Sequence, residues 1–259
     1  MTQFKKLAIA GAISAAMMGA PSAEASVVYN LNTGLANGDA VGPWSDGTNT
    51  SPTGYTGHLP ATWLDNIQTN NQTDTVSTAG LLAAAPSTTL KVESLSNRWN
   101  PANSWGNALD FGLITLSSVS NLTITVAADA SLSSNFKPGF TLFSGWDTSA
   151  TSNKHGSWNV ALPAVPVNPR GTTGLTYLGQ ASSAVGGGTA TYTFTNLAAG
   201  NYSLWIGGAG LGTSTTGGQT YVATLSTSPV PVPGAVWLFG SAMAGLIGFG
   251  GRRKAAVTA

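Results

Sequence analysis

Residues suited to acid–base or nucleophilic catalysis are scarce in this sequence. The two histidines are His58 and His155, and neither belongs to an H-E-x-x-H pattern. His155 lies close to Asp147 and Ser157 along the chain. A catalytic triad, however, is defined by spatial geometry and not by nearness in sequence. The G-x-S-x-G turn that carries the nucleophile of α/β-hydrolases is also absent. The sequence therefore favours a non-enzymatic protein, with a secreted hydrolase as the weaker alternative.

Two loops rich in oxygen ligands suggest a different chemistry. Asp46 and Asn49 belong to one loop, and Asp147 and Asn153 belong to another. Calcium prefers carboxylate and carbonyl oxygens, so Asp46 and Asp147 are candidate ligands of a structural calcium ion. Asp and Asn also favour tight turns without any metal, and the spacing of a known calcium loop is missing. We expect no other cofactor.

Tryptophan is the third candidate for a functional side chain. Several tryptophans stand among Gly, Asn and Asp, and the best candidates are Trp99, Trp146 and Trp158. An exposed indole backed by Asn and Asp can stack on the apolar face of a sugar ring. These three residues therefore support an alternative function as a carbohydrate-binding module. The competing interpretation is that the indoles fill the core or close its ends.

β-Strands must position these residues, because helical periodicity is nearly absent from the body. Residues 61–66 could form one helical turn. Short runs of β-branched and aromatic residues alternate with Gly-, Asn- and Pro-rich turns, a pattern typical of an antiparallel β-sandwich or jelly roll. The predicted strands are residues 27–31, 88–93, 109–115, 121–127, 139–144, 175–178, 189–196, 202–206 and 221–225.

The strongest local prediction is a hairpin late in the chain. In residues 189–196, Tyr192 and Phe194 share one face and threonines occupy the other. A turn at residues 197–201 follows, and residues 202–206 alternate again. We therefore expect these two strands to pair with each other.

The last thirty residues form a short motif, an apolar stretch and a basic end. Residues 235–251 carry no charge and reach the minimum length for crossing a bilayer of about 30 Å. The alternating prolines before them predict an extended segment. The basic residues after them would remain on the cytoplasmic side. The motif is Val230, Pro231, Val232, Pro233 and Gly234, and the basic end is Arg252, Arg253 and Lys254.

This tail resembles the PEP-CTERM sorting domain over roughly residues 229–254. The similarity lies in V-P-V-P-G-A-V-W-L-F-G-S followed by G-L-I-G and R-R-K, although the family's Pro-Glu-Pro is Val-Pro-Val-Pro here. The resemblance implies export by a Gram-negative bacterium that makes exopolysaccharide. It also implies recognition of the tail by exosortase, a membrane protease-transpeptidase, with the inner membrane as a transient partner.

The amino end has the pattern of a secretory signal. Two lysines precede an apolar core at residues 7–20, and Ala23 and Ala25 provide small residues before a cut at Ser26. Signal peptidase is therefore a predicted partner. The expected organisation is a signal helix at 1–25, a β-sandwich body at 26–228 and a sorting signal at 229–254. That signal includes a single transmembrane helix at 235–251, and a cytoplasmic tail at 255–259 follows it.

Charge and cysteine content limit the remaining functions. The body between the two targeting segments has eight acidic and five basic residues, a net charge of −3, so no basic patch for nucleic acid is expected. Cysteine is absent, which excludes disulfides and thiol chemistry. The sequence thus predicts a non-enzymatic protein of the cell surface or extracellular matrix, with exopolysaccharide as a candidate partner.

Overall fold

The computed structural model describes residues 27–31, 42–48, 51–57, 61–84, 110–130, 135–149, 172–209, 220–231, 238–239 and 241–245. Most of these residues lie in strands, which confirms the prediction of a mainly β protein. A short helix, α1, spans Thr78–Ala84, and the described residues 238–239 and 241–245 are also helical. The strands are β1 Val27–Tyr29, β2 Ala61–Ile67, β3 Thr73–Ser77, β4 Asp110–Leu116, β5 Ser120–Ala128, β6 Pro138–Ser144, β7 Thr176–Ser182, β8 Thr189–Leu197, β9 Gly200–Gly208 and β10 Tyr221–Pro229.

The strands form two sheets. The larger sheet has the order β1-β2-β4-β9-β6-β7, and the smaller has the order β3-β10-β5-β8. All pairings are antiparallel except that of β2 with β4, which is parallel. The expectation of a purely antiparallel body is therefore wrong at this pair. β2 and β4 are separated in sequence by β3, which belongs to the other sheet, so they are not joined by a tight turn.

A hydrophobic core joins the inner faces of the two sheets. Trp63, Leu204 and Ile206 enter it from the larger sheet, and Ile124 and Leu225 enter it from the smaller. All five side chains are almost completely buried. Burial of apolar area stabilises the packed state by about 25 cal/mol per Å², so this shared core holds the two layers together.

The larger sheet is also covered on its outer face. A second apolar cluster there contains Leu113, Phe143 and Trp205 from strands, together with Trp44 and Tyr55 from the segments 42–48 and 51–57. β4 and β6 consequently show almost unbroken burial along their length. Strands that are buried on both faces lose the inside–outside alternation of a half-exposed strand.

The smaller sheet keeps that alternation and presents a hydroxyl-rich outer face. Thr75, Thr224, Thr125 and Thr191 stand opposite one another across its four strands. The predicted alternation of residues 121–127 is confirmed, because Leu122, Ile124 and Val126 are all buried.

The predicted hairpin at residues 189–206 is wrong. Both strands exist, but β8 pairs with β5 in the smaller sheet, whereas β9 pairs with β4 and β6 in the larger. The chain thus crosses from one layer to the other through residues 198–199. Phe194 and Leu204 both belong to the inner core, which each strand reaches from its own sheet.

Two further differences lie earlier in the chain. Residues 61–66 belong to β2 and not to a helical turn, because β1 and β4 bind this segment on both sides. β3 and α1 were not predicted. The predicted strand at 88–93 and the signal helix lie outside the described residues, as does most of the sorting tail. Where the structure describes the chain, no helix is long and apolar enough to cross a membrane.

Candidate functional site: a cavity beneath the 42–57 segments

A cavity of about 300 Å³ lies on the outer face of the larger sheet. This volume is at the lower end of the range of about 300 to 1,000 Å³ found for small-molecule sites. The residues around it combine two indoles, several aliphatic groups and a set of neutral polar groups with one carboxylate. They are Val28, Trp44, Asp46, Thr48, Ser51, Pro52, Thr53, Leu64, Asn66, Thr115 and Trp146.

The floor of the cavity is built from neighbouring strands. Leu64 and Asn66 are two positions apart on β2, so they point to the same face of the sheet. Thr115 stands beside Asn66 on β4 and donates a hydrogen bond from Oγ1 to Asn66 Oδ1 over 2.7 Å. This bond fixes the amide so that its NH₂ group is the free end. In the described part of the chain, that NH₂ group has no hydrogen-bond acceptor.

Trp44 forms one wall and is held by backbone pairing with the edge of the sheet. Asn30 and Trp44 form an isolated antiparallel bridge. The Leu31 N–H donates to the Pro43 carbonyl over 2.7 Å, and the Ser45 N–H donates to the Tyr29 carbonyl over 2.8 Å. The Trp44 side chain is 2% exposed, and its Nε1 has no hydrogen-bond partner among the described residues.

Trp146 forms another wall and is equally well fixed. Its Nε1 donates to the Tyr202 carbonyl over 3.0 Å, and its ring meets Tyr55 edge to face at a centroid distance of 6.0 Å. The side chain is only 5% exposed. Trp146 is therefore not an exposed platform, because Tyr55 and the 51–57 segment cover most of this indole, and its contact with a glycan stays a prediction. Trp99 and Trp158 lie outside the described residues.

Asp46 stands at the rim, where it shapes its own turn. Its Oδ1 accepts hydrogen bonds from the Thr48 N–H over 2.9 Å and from Thr48 Oγ1 over 2.8 Å. Such Asp-centred turns are common and need no metal. Asp46 is exposed, and the second carboxylate oxygen accepts no hydrogen bond from any described residue.

Asp147, the other candidate calcium ligand, is engaged in holding loops together. Its Oδ1 accepts hydrogen bonds from the Ser149 N–H over 3.0 Å and from the Thr173 N–H over 3.1 Å. Its Oδ2 accepts a hydrogen bond from Ser149 Oγ over 2.7 Å. These bonds explain how a fully buried carboxylate is accommodated. Across the described ranges, no group of three His, Asp or Glu residues is placed to hold a metal ion.

A second polar group lies inside the core, away from the cavity. Trp63 Nε1 donates to the Tyr221 hydroxyl over 2.9 Å, and this hydroxyl donates to Asp110 Oδ2 over 2.7 Å. All three side chains are buried. Burial raises the pKa of Asp110 to about 6, and the hydrogen bonds from Tyr221 and Thr62 keep the pKa below what burial alone would give. The same burial, together with Asp110, raises the pKa of Tyr221 well above its ordinary value.

We expect Tyr221→Phe to destabilise the protein, and to do so more at pH 8 than at pH 5. The change leaves Trp63 Nε1 and Asp110 Oδ2 without their partner. Because Asp110 becomes ionised above pH 6, the lost bond is charge-assisted at pH 8, where we expect a cost of about 2 kcal/mol, against about 1 kcal/mol at pH 5. Urea unfolding at the two pH values measures this difference. Tyr192→Phe, at an exposed site, is the control and should have no effect.

Asp65 is the most unusual carboxyl group in the described structure. It lies between Trp63 and Ile67 on β2, opposite Val27 on β1 and Ile114 on β4. Neither of its oxygens has a hydrogen-bond partner among the described residues. Burial, with a smaller contribution from Asp74, raises its pKa to about 8. At neutral pH the folded protein therefore holds Asp65 mainly in the protonated form.

The structure describes the first two residues of the predicted sorting motif, which follow directly after a strand. β10 ends at Pro229, and the following residues Val230 and Pro231 are half-buried and exposed, respectively. The other predicted processing residues lie outside the described residues. They are Val232, Pro233 and Gly234 of the motif, Arg252, Arg253 and Lys254 of the basic end, and Ala23, Ala25 and Ser26 of the signal cleavage site.

The structure thus brings together two residues that the sequence proposed for different roles. Asp46, a candidate calcium ligand, and Trp146, a candidate glycan contact, line the same cavity. Sequence analysis missed Asn66, because residues 61–66 were predicted as a helical turn. It also missed Thr115: residues 109–115 were correctly predicted as a strand, but nothing in the local sequence places Thr115 beside Asn66. In residues 63–66, Trp63 and Asp65 face one side of β2, and Leu64 and Asn66 face the other. This alternation is the sequence signal that could have indicated a strand with Asn66 on its outer face.

No protein-family model matches the chain, and no curated protein matches its sequence. Several solved structures are similar to part of it, including the following three. The surface-associated copper-binding protein CorA of Methylomicrobium album BG8 gives a TM-score of 0.34 at 12% identity, covering 65% of this chain and 98% of CorA. The secreted protein MopE of Methylococcus capsulatus, whose copper binding an oxidised tryptophan facilitates, gives 0.38 at 14% identity, covering 68% of this chain and 92% of MopE. The pre-peptidase C-terminal domain of a Bacillus anthracis collagenase gives a TM-score of 0.26 at 14% identity. The match covers 64% of this chain and 94% of that domain. TM-scores this low carry no argument about function.

Proposed function

We propose that this chain is an exported, non-enzymatic protein of the cell surface or extracellular matrix, delivered through a carboxyl-terminal sorting signal that exosortase processes. The observation that carries the proposal is the position of the signal relative to the fold. The last strand, β10, ends at Pro229, and the V-P-V-P-G motif begins at the next residue. Cleavage within or after this motif would therefore remove no strand of either sheet.

The motif is also well placed for an enzyme to reach it. β10 lies between β3 and β5 inside the smaller sheet, so the end of the body is firmly held. Pro231 and Pro233 have no N–H to donate, and the segment therefore cannot extend the hydrogen-bond ladder of β10. A strand held on both sides, followed by a motif whose prolines predict an extended segment, supports recognition of the motif while the body remains folded.

The position of the perturbed acids supports a non-enzymatic role. Asp65 and Asp110, whose pKa values burial raises most, lie in the layer between the sheets and not along the cavity. Perturbed acids at a catalytic site normally line a cleft that substrate can enter.

The chain crosses from one sheet to the other between β4 and β5 and again between β8 and β9. These crossings favour a jelly-roll-like order of connections in the body.

Doubly tagged protein in an exosortase-producing Gram-negative host tests this proposal. We expect the released protein to lack residues 237–254 by intact-mass spectrometry, and an exosortase-deficient strain to retain them in the membrane fraction. Replacing Val230 to Gly234 by alanines should block release. Ser228→Ala, just inside β10, is the matched control and should leave release unchanged. Released protein that still contains the tail would contradict the sorting role, as would equal loss of the tail without exosortase.

A further inference from the structure

We propose that the cavity beneath the 42–57 segments binds a neutral saccharide unit of one or two sugar rings. This inference goes beyond export and sorting, and it does not depend on them. Its basis is a cavity of about 300 Å³ whose walls and floor are fixed by the fold and whose polar groups converge from different elements. That space could hold about ten water molecules at about 30 Å³ each, which is the scale of a sugar ring with its hydroxyl groups.

The cavity offers a donor and an acceptor that have no partner in the described structure. Asn66 Oδ1 accepts a hydrogen bond from Thr115 Oγ1, which leaves the NH₂ group of Asn66 as an available donor. Asp46 uses Oδ1 in its own turn and keeps Oδ2 available. Trp44 Nε1 also has no described partner, but the atom is buried beyond the reach of solvent and is not counted as a ligand contact. Sugar hydroxyls both donate and accept hydrogen bonds, so one ligand class can satisfy both Asn66 and Asp46.

The remaining surface of the cavity suits the apolar side of the same ligand. Trp44 and Trp146 provide indole walls, and Val28, Leu64 and Pro52 add aliphatic contacts. A pyranose ring presents C–H groups on its faces and hydroxyls at its edge, which matches a site with apolar walls and a few placed polar groups. A fully apolar ligand would leave Asn66 and Asp46 desolvated without compensation.

Charge excludes two competing ligand classes. Among the described residues that line the cavity, a divalent cation would find one carboxylate, Asp46, and one carboxylate is too few for a calcium site. An anionic sugar would place its carboxylate near Asp46, and no basic residue lines the cavity in the described part of the chain. The site should therefore prefer neutral sugars to uronates.

The walls are already in place without a ligand, which lowers the entropic cost of binding. Trp44 is pinned by backbone bonds to β1, Trp146 is pinned by its bond to Tyr202, and the floor consists of paired strands. Binding to such a preformed site requires little ordering of side chains.

Calorimetric titration of the purified full chain tests the proposal. The probes are D-glucose, D-galactose and D-mannose, with D-glucuronate and calcium chloride as charged comparisons. We expect at least one neutral sugar to bind with a Kd on the order of 1 mM or tighter, and D-glucuronate to bind at least about tenfold more weakly than that sugar. Asn66→Ala should weaken sugar binding about tenfold.

Two further variants separate a loss of the site from a loss of folding. Thr53→Trp places an indole at the exposed rim and should abolish sugar binding, whereas Thr193→Trp on the outer face of the smaller sheet should leave it unchanged. Asp46→Asn keeps the oxygen used in the turn and should reduce the preference for neutral sugars. The proposal is overturned if no neutral sugar binds. It is also overturned if Thr53→Trp binds normally, if D-glucuronate binds as tightly as the neutral sugars, or if calcium alone binds and Asp46→Asn removes that binding.

Discussion

Asp65→Asn is expected to make the protein more stable than the wild type at pH 8, and the advantage should disappear in acid. In the folded protein, burial raises the pKa of Asp65 from its ordinary value near 4 to about 8, and neither carboxyl oxygen has a hydrogen-bond partner among the described residues. Folding therefore favours the protonated acid, whereas the unfolded chain ionises it above about pH 4. Asparagine keeps the shape of the side chain and never ionises.

The sign of the pH dependence follows from this difference in pKa. Below pH 4 Asp65 is protonated in both the folded and the unfolded state, so its full contribution to the stability of the folded state is present. Between about pH 4 and pH 8 the unfolded state binds fewer protons than the folded state, so stability falls as the pH rises. The fall from Asp65 alone is about 1.4 kcal/mol per pH unit well below the folded pKa and levels off near pH 8, which gives about 2 kcal/mol between pH 6 and pH 8.

Comparing the slopes of stability against pH between pH 6 and pH 8 separates the effect of Asp65 from that of Asp110. Burial raises the pKa of Asp110 to about 6, so its contribution is largely lost below that range. Urea unfolding should show a falling free energy of unfolding for the wild type and a nearly constant one for Asp65→Asn. Thr75→Val, on the exposed face of β3, is the control and should retain the wild-type slope. An identical slope in Asp65→Asn and the wild type would show that Asp65 is ionised in the folded protein.

Much of the fold was predictable because half-exposed strands show their alternation in the sequence. Residues 121–127 were placed correctly, since Leu122, Ile124 and Val126 face the core while their neighbours face solvent. The prediction failed at β2, although β4 and β6, which are also buried on both faces, were correctly predicted as strands. In β2, Asp65 and Asn66 interrupt an otherwise apolar run, and such a run can be read as a helix or as a strand.

The pairing of strands was harder to predict than their existence. Residues 197–201 contain Gly and Asn, as a hairpin turn does, but a two-residue connection can also carry the chain from one sheet to the other. Which outcome occurs depends on β4, β5 and β6, the strands that actually pair with β8 and β9. These contacts are far apart in sequence, and local turn chemistry does not encode them.

The candidate site was predictable only in part for the same reason. Asp46 and Trp146 could be selected by residue type, yet their meeting depends on how the 42–57 segments fold over the larger sheet. Asn66 and Thr115 become a defined donor site only because the parallel pairing of β2 with β4 sets them side by side. Residue types suggested the chemistry, and topology brought the groups together.

Gly112→Ala is expected to be among the most destabilising single substitutions in the body. Gly112 lies in the middle of β4 beside Trp63 of β2, and a Cβ at position 112 would overlap the six-membered ring of that indole. Trp63 cannot move aside easily, because it is 1% exposed and donates from Nε1 to Tyr221 over 2.9 Å. We expect a loss of about 3 kcal/mol or more, through overpacking and displacement of the Trp63–Tyr221–Asp110 hydrogen bonds.

Two comparisons distinguish this mechanism from a general cost of replacing glycine. Gly186→Ala lies in an exposed turn where the added methyl meets only Asn135 at an ordinary distance of 3.4 Å, so stability should change by less than about 0.5 kcal/mol. Trp63→Phe should be destabilising by itself, but combined with Gly112→Ala it should recover part of the loss, because the smaller ring leaves room for the methyl group. Additive losses in the double variant, measured by urea unfolding, would show that the indole is not the group that requires glycine at position 112.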